Sequence, residues 1–194
     1  ARDLGEEEIL AFDMGGTTAK VCLIDQGVPR RSDSFEMARE HMHRQGSGLP
    51  ARIPVIDLVE IGSGGGSIAH IDSMSRLHVG PESAGATPGP ACYARGGGQA
   101  TVTDADLLLG RLAPEDFLGS GIAISKEQAR RAIGEQIGDK LGLEDVAGAM
   151  AISEIVEEQM AAAAREHARE KGVDLRQRTM IAFGGSAPLH AANV

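Results

Sequence analysis

A carboxylate followed at once by glycines and hydroxyls stands near the start of the chain, in the run Asp13-Met14-Gly15-Gly16-Thr17-Thr18. Asp13 could offer oxygen ligands to Mg²⁺, and the N–H groups after it could surround a phosphate. The phosphate candidates are Gly15, Gly16, Thr17 and Thr18. Lys20 could add a positive charge. Each role has an alternative that stays open. Asp13 could only cap a tight turn, and Lys20 could be a solvated residue of a strand.

The apolar runs ILAFD and VCLID flank this segment, so the pattern predicts a β-hairpin with the segment at its tip. A third strand of the same meander is predicted around Arg31 to Met37. The sequence therefore predicts three meandering strands at the start of the domain.

A second arrangement of strand, glycines and helix lies near the other end of the chain. The run Thr179–Phe183 has the composition of a buried strand and leads directly into Gly184, Gly185 and Ser186. A helix is predicted to start at Ser186 or Ala187, with a proline in its first turn. Free N–H groups at such a junction suit an anion or the sugar of a nucleotide.

Between these two arrangements lies a glycine-rich and proline-rich stretch, Ile61 to Leu112. Apolar residues interrupt it regularly, unlike a flexible linker, so we expect ordered loops carried by short strands. Its run Gly64-Gly65-Gly66 is either a ligand-binding loop or a wide turn. Near its end, Thr103 or Asp104 could be the N-cap of a short helix, and Asp104 is alternatively a catalytic carboxylate.

The remainder of the chain is predicted to be mostly helical. Ser125 with Gln128 forms a capping-box pattern, followed by an apolar repeat of four residues that Gly142 ends. A long core helix is predicted from about Glu144 to Lys171, because its apolar residues are spaced by three and four. His167 at the end of that stripe is interpreted as a core or rim histidine.

Composition excludes several classes of protein. The net charge of −9, without a cluster of Lys or Arg, makes nucleic acid an unlikely partner. No apolar run is long enough to cross a membrane, and there is no signal peptide pattern. Cys22 and Cys92 lack metal or disulfide spacing, which favours reduced thiols in a cytoplasmic protein. His41 and His43 would be a metal pair without a third ligand, and an exposed loop is the preferred interpretation.

Several long strings, taken together, resemble the hydantoinase A/oxoprolinase family. They are FDMGGTTAKVCLI, IGSGGGSIAHID, LHVGPESAGATPGPACYARGGGQATVTDADLLLGRL and AFGGSAPLHA, in this order. The resemblance implies an α/β fold of the actin-like (ribonuclease H-like) ATPase type, in which a mixed sheet opened by a β-meander packs against helices. It also implies that residues 1–194 are one domain, the excised second lobe of a larger two-lobed chain.

Carried onto this sequence, the resemblance implies ATP and Mg²⁺ as cofactors. Asp13 would lie near Mg²⁺ and Gly15 to Thr18 would form a phosphate loop, while Gly184, Gly185 and Ser186 would lie by the adenosine. Two departures from the family pattern stand at these positions. Thr18-Ala19-Lys20 replaces Ser-Thr-Asp, so an ammonium replaces a carboxylate, and Ala187 replaces a glycine.

The function that the resemblance implies is ATP-dependent hydrolysis of a small cyclic amide. The expected partners are the missing first lobe and a second subunit of the hydantoinase B type. Two alternatives stay open: the ATP-binding subunit of an acetone-type ketone carboxylase, and a nucleotide-responsive assembly module without catalysis of its own. The assembly module is favoured by the lack of a hydrolytic constellation such as Ser-His-Asp in the sequence.

Overall fold

The computed structural model describes residues 5–33, 35–37, 48–117 and 121–194. Its strands, numbered in chain order, are β1 (Ile9–Met14), β2 (Ala19–Asp25), β3 (Val28–Pro29), β4 (Arg31–Ser32), β5 (Phe35–Met37), β6 (Leu49–Ala51), β7 (Val55–Ile56), β8 (Leu58–Ile61), β9 (Ser67–Ile71), β10 (Leu77–Ser83) and β11 (Thr179–Phe183). Its α-helices are α1 (Val102–Leu108), α2 (Lys126–Ile133), α3 (Asp139–Leu141), α4 (Asp145–Glu170) and α5 (Ala187–His190). Short 3₁₀ segments lie at Ala91–Tyr93, Pro114–Phe117 and Leu175–Gln177.

The central sheet is mixed and is built around the predicted hairpin. Strands β1 and β2 pair antiparallel from Ile9 opposite Ile24 to Met14 opposite Ala19. Strand β11 adds in parallel to the other edge of β1, although the two strands are far apart in the chain. The meander prediction is confirmed for the hairpin, and the sheet brings the two glycine-containing segments to the same end of β1.

The prediction of a third strand at 31–37 is wrong as a continuation of this sheet. Strand β2 pairs instead with the short β3 and with β8, both antiparallel. Strands β4 and β5 pair with β7 and β6 in separate two-stranded sheets. Arg30 N still donates to Leu23 O at 3.0 Å, and the chain leaves β2 after this bond, because Arg31 pairs with Ile56 instead.

Helix α4 covers one face of the sheet. It begins and ends within one residue of the prediction, and Gly172 after it has φ +66°. The predicted stripe is buried throughout: Ala149, Ile152, Val156, Met160, Ala163, Ala164 and His167. It shares one core with alternate residues of the strands, including Phe12 and Val21.

The helical run that begins at Ser125 contains a π-helical segment. Ser125 is the N-cap of α2 and accepts a hydrogen bond from Gln128 N, as predicted. After Ile133 the chain widens into a π-helix, Gly134–Gly138, continues as α3 and stops at Gly142 with φ +67°. A repeat of four residues drifts around an α-helix of 3.6 residues per turn, and the wider π turn keeps Ile133 and Ile137 both buried.

Strand β11 is less buried than its composition predicted. Its first and last residues, Thr179 and Phe183, are exposed, and the exposed fraction of Phe183 is 49%. The strand lies at the edge of the sheet as far as the chain is described, which explains the exposure. Within the same described ranges, no helix has both the length and the apolar character of a membrane span.

The start of α1 is fixed by a buried carboxylate. The N-cap is Thr101 rather than Thr103 or Asp104, so both predicted caps are wrong by two or three positions. Asp104 completes the capping box: its Oδ2 accepts from Thr101 N at 2.9 Å and from Thr101 Oγ1 at 2.7 Å. Its carboxylate also accepts from Ala91 N at 3.2 Å and Cys92 N at 2.7 Å. Asp104 is fully buried, and four donors occupy its oxygens.

We expect Asp104→Asn to destabilise the protein by about 3 kcal/mol, because the amide would set an N–H donor against buried N–H groups. Urea denaturation of the variant and the wild type would measure the loss. Ser125→Ala, which removes one exposed cap hydrogen bond, should cost about 1 kcal/mol. Equal small losses in both variants would contradict a structural role for the Asp104 carboxylate.

Candidate functional site

The tip of the β1–β2 hairpin is a tight turn. Gly15 N donates to Thr18 O at 3.0 Å and closes the turn between Met14 and Ala19. Gly16 and Thr17 are exposed at its apex. On the strands beside the tip, Asp13 lies opposite Lys20 on the face of the sheet away from the core.

The loop Gly64–Gly66 packs directly against this tip. Gly65 N donates to Gly15 O at 3.0 Å, and Gly66 N donates to Gly16 O at 2.6 Å. The loop is itself buried and turns tightly, with Gly64 N donating to Ser67 Oγ at 2.8 Å. Its N–H groups are therefore used to hold the hairpin tip, which answers the open question about this loop in favour of a supporting turn.

Glycine is required here because backbone lies against backbone. A Cβ on Gly64 would lie 2.6 Å from Thr17 C and 2.7 Å from Gly16 C. On Gly65 it would lie 2.8 Å from Thr103 Oγ1 and 3.0 Å from Ser186 Oγ. Each distance is well inside van der Waals contact, so a side chain on Gly64 would push the loop away from the tip, and one on Gly65 would displace the side chains of Thr103 and Ser186.

Helix α1 supports the loop from behind. Thr103 N and Thr103 Oγ1 both donate to Gly65 O, at 2.7 Å and 2.8 Å. Ala84, the residue after β10, donates a further bond from its N–H to Gly66 O at 2.9 Å. The buried Asp104 thus affects the loop indirectly. It fixes the start of α1, and Thr103 of α1 holds Gly65 O.

The segment Gly184–Ser186 meets the same tip from the other side. Ser186 N donates to Met14 O at 3.0 Å, and Ser186 is the residue before α5, as predicted. Gly184 has φ +93°, and a Cβ there would collide with Asp13 and would lie 2.7 Å from Met14 O. Close approach and backbone conformation both require glycine at this position.

The outer side of the tip is open. A Cβ added to Gly15, Gly16 or Gly185 would meet nothing within 4 Å. No hydrogen bond among the described residues uses the N–H of Gly16 or Thr17. The three segments therefore meet at a tip whose exposed residues Gly16 and Thr17 have backbone N–H groups without a partner among the described residues.

Lys20 is held next to the tip. Its Nζ donates to Thr18 Oγ1 at 2.9 Å and lies 3.4 Å from Glu60 Oε1. The Lys20 side chain is 40% exposed, and its ammonium group is shared between a hydroxyl and a carboxylate. The ammonium is close enough to the tip to contribute positive charge there, but Glu60 neutralises part of that charge.

The structure separates Asp104 from this group. Its oxygens face Thr101, Ala91 and Cys92 in the interior, and this arrangement favours the alternative that the sequence had left open, a role at the helix start. Burial and the charge of Asp104 raise the pKa of the Cys92 thiol well above its ordinary range. We therefore expect Cys92 to be an unreactive core thiol.

Other sequence candidates lie elsewhere. His41 and His43 are outside the described residues, and the described residues contain no group of three His, Cys, Asp or Glu that could hold a metal. His167 is buried on α4, as predicted, and burial lowers its pKa. A cluster that sequence reasoning missed surrounds Arg111 and His190, where α1, α4 and α5 meet. Its signal was Ser153 and Glu157, four residues apart beside the apolar stripe of α4.

The structure is a mixed α/β domain in which three glycine-containing segments meet at one hairpin tip. The hydantoinase/oxoprolinase family model matches residues 1–194, and the chain belongs to that family. It is 37% identical over 195 residues to the acetophenone carboxylase gamma subunit of Aromatoleum aromaticum, covering 100% of this chain and 26% of the relative. It is 38% identical over 190 residues to the caprolactamase subunit alpha of Pseudomonas jessenii, covering 98% and 26%.

Solved structures agree with the sequence comparison. The structure of nucleotide-free acetone carboxylase, an ATP-dependent enzyme, superposes with a TM-score of 0.86 at 27% identity over 99% of this chain. The ATP-dependent caprolactamase of Pseudomonas jessenii superposes with a TM-score of 0.83 at 35% identity, also over 99%. In both cases 26% of the other chain is covered. The chain spans 14% to 28% of the length of the curated relatives it matches.

We expect Gly64→Ala to cost about 3 kcal/mol of stability, because its Cβ would overlap the backbone of Gly16 and Thr17. Gly15→Ala is the matched control. Its Cβ enters open space at a φ outside the left-handed region, so the change should stay within about 0.5 kcal/mol. Denaturant unfolding of both variants tests the packing of loop against tip, and a Gly64→Ala variant as stable as Gly15→Ala would refute it.

Proposed function

We propose that this chain is the ATP-binding lobe of an ATP-dependent hydrolase that acts on small cyclic amides. One observation supports the proposal most: segments from the beginning, middle and end of the chain meet at the hairpin tip and leave the N–H groups of Gly16 and Thr17 unpaired beside Asp13. A surface of this kind suits an anion with a bound cation.

The residues of the tip match what a phosphate requires. Backbone N–H groups in a glycine turn donate to phosphate oxygens without a side chain in the way, and the Thr17 and Thr18 hydroxyls add donors. The open space at Gly15 and Gly16 would accept such a group without rearrangement of the backbone. Lys20, tied to Thr18, would add positive charge at the edge of the site.

Asp13 is the proposed Mg²⁺ ligand. Mg²⁺ in nucleotide sites usually takes one or two protein carboxylates and completes its shell with water and phosphate oxygens. A single carboxylate next to phosphate donors fits that pattern. Gly184, Gly185 and Ser186 would lie along the nucleoside, where Gly185 borders open space.

The chemistry follows from the weakness of an amide as an electrophile. ATP would supply a phosphoryl group that converts the amide oxygen into a leaving group. The contribution of this chain is to hold the phosphates in position and to neutralise charge through N–H groups and the cation held by Asp13. The ATP-dependent caprolactamase to which the chain is similar supports the cyclic-amide substrate class.

A ketone carboxylase subunit is the second candidate. The similarity to the acetophenone carboxylase gamma subunit and to acetone carboxylase favours it, at an identity of 37% for the former against 38% for caprolactamase. The same phosphate site would then serve an enol oxygen. The two candidates share every proposed residue and differ in the substrate that the rest of the protein presents.

The proposal includes a larger protein of the actin-like ATPase type. This chain would be its second lobe, and a first lobe with a second subunit of the hydantoinase B type would complete the active site. Support comes from the share of the relatives' length that the chain covers and from the names of relatives as subunits.

We expect Gly16→Ala to weaken binding of Mg²⁺-ATP to the protein that carries this chain by about tenfold or more, because a methyl group would occupy space beside the phosphate donors. Isothermal titration would measure the affinity. Gly98→Ala is the control: its Cβ also enters open space, but it lies outside the site. Equal affinities in the two variants would place the phosphates elsewhere.

We expect Asp13→Asn to lower substrate-stimulated ATP turnover by about 10² to 10³-fold, because a neutral amide would hold the cation weakly. Asp139→Asn, at an exposed helix position, should leave turnover unchanged. Turnover would be assayed with a lactam or hydantoin, and with acetone or acetophenone plus bicarbonate. Stimulation by the ketones alone would select the carboxylase, and binding of ATP without stimulation by either class would select the assembly module.

A further inference from the structure

A cluster of buried charged groups lies behind the candidate site, where α1, α4 and α5 meet. It consists of Asp106 on α1, Arg111 just after α1, Ser153 and Glu157 on α4, and His190 on α5, and we refer to it as the Arg111 cluster. The side chain of His190 is 0% exposed and that of Asp106 is 1% exposed. Charged groups this deeply buried are costly unless they are paired, so the arrangement needs a physical explanation.

The contacts within the cluster centre on one carboxylate. Glu157 Oε1 accepts from Arg111 Nη1 at 2.7 Å and from Ser153 Oγ at 2.8 Å. His190 approaches both acids: its Nδ1 lies 3.0 Å from Glu157 Oε1, and its Nε2 lies 3.2 Å from Asp106 Oδ2. Arg111 Nη1 also donates to Ser153 Oγ at 2.7 Å and lies 3.4 Å from Asp106 Oδ1.

The charges balance when His190 is an imidazolium. Burial by itself lowers the pKa of His190, but the hydrogen bonds and charges of Asp106 and Glu157 outweigh burial and raise it above its ordinary value of 6.5. Two carboxylates then face two cations. Nδ1 of the ring lies 3.0 Å from Glu157 Oε1 and 3.1 Å from Arg111 Nη1, whereas Nε2 lies 3.2 Å from Asp106 Oδ2 as an ion-pair contact without hydrogen-bond geometry. Loss of the proton would leave one buried negative charge without compensation.

The ionisable groups around α5 come from α1 and the residues after it, from α4 and from β1. Helix α1 and the residues after it contribute Asp106 and Arg111, and α4 contributes Glu157. Strand β1 contributes Asp13, while β11 contains no ionisable residue. Asp104, also on α1, is already paired with the N–H groups of Ala91, Cys92 and Thr101.

His190 connects this cluster to the candidate site through a very short path. Helix α5 has four residues and follows Gly184–Ser186 directly. A helix of that length is not stable by itself and needs external contacts. Those contacts lie at its two ends: Ser186 N donates to Met14 O at 3.0 Å, and the His190 ring is held by Asp106 and Glu157.

We propose that the Arg111 cluster positions the Gly184–Ser186 loop against the hairpin tip, with His190 in its charged form as the positioning residue. The consequence for function is that nucleotide affinity depends on a charge balance behind the site, and this part of the inference rests on the proposed function. It assigns a role to Asp106, Arg111, Glu157 and His190, none of which would touch the nucleotide.

The first test is amide hydrogen exchange in the protein that carries this chain, without nucleotide. His190→Gln should speed exchange in the segment 184–191 by about tenfold or more relative to wild type at the same pH, and should leave β1 and β2 unchanged. His167→Gln is the matched control, because His167 is a buried histidine of α4 that lies outside the Arg111 cluster. A uniform increase along the chain, or none, would overturn the proposal.

The second test separates charge balance from simple packing. Glu157→Gln added to His190→Gln restores neutrality, because Arg111 then faces Asp106 alone. The double variant should therefore exchange more slowly in 184–191 than His190→Gln does. If the two substitutions simply added their effects, the cluster would be acting as packing and the proposed charge balance would be wrong.

The third test links the cluster to nucleotide binding through pH. Because the folded pKa is raised, the imidazolium contribution is fully present below pH 6.5 and is lost as the pH rises through the folded value. Affinity for Mg²⁺-ATP should fall over that window in wild type and be weaker but flat in His190→Gln. The same flat profile in both proteins would overturn the link. A wild type that binds no ATP would refute the proposed function, while the exchange results would still decide the positioning role.

Discussion

The contact between the loop Gly64–Gly66 and the hairpin tip is the constraint on which the rest of the structure depends. Two backbones approach so closely that a single Cβ on Gly64 would lie 2.6 Å from Thr17 C. The loop uses its N–H groups to hold the carbonyls of Gly15 and Gly16, while the N–H groups of Gly16 and Thr17 have no partner among the described residues. An exposed glycine turn is ordinarily mobile, and this packing from behind fixes its shape.

Support for this contact passes through buried polar groups. Asp104 fixes the start of α1, and Thr103 at that start binds Gly65 O. On the other side, the carboxylates of Asp106 and Glu157 hold His190, and the short α5 leads back to Gly184. Each carboxylate lies behind the surface that we propose for the nucleotide. The protein thus uses buried charge to fix the positions of loops that carry little side-chain packing of their own.

The chain belongs to the hydantoinase/oxoprolinase family, and its relatives fit a phosphate site that is shared while the substrates differ. Relatives with different substrates share the domain, including a caprolactamase and carboxylases of ketones. The proposed site, made of backbone donors and one carboxylate, would recognise phosphate and a cation and would carry no information about the group that receives the phosphoryl. Substrate choice would then belong to other parts of the relatives, of which this chain covers 28% or less.

The sequence by itself determined the local elements and the family. The β1–β2 hairpin, the Ser125 cap, the long α4 and the strand before Gly184 follow from short-range patterns of apolar spacing, caps and glycines, and these were predicted. Long-range pairing decided the rest. Strand β8 replaced residues 31–37 in the sheet, Asp104 moved from the candidate site to the interior, and His190 joined Glu157. Such pairings depend on which surfaces meet in three dimensions, and no periodicity along the chain records that.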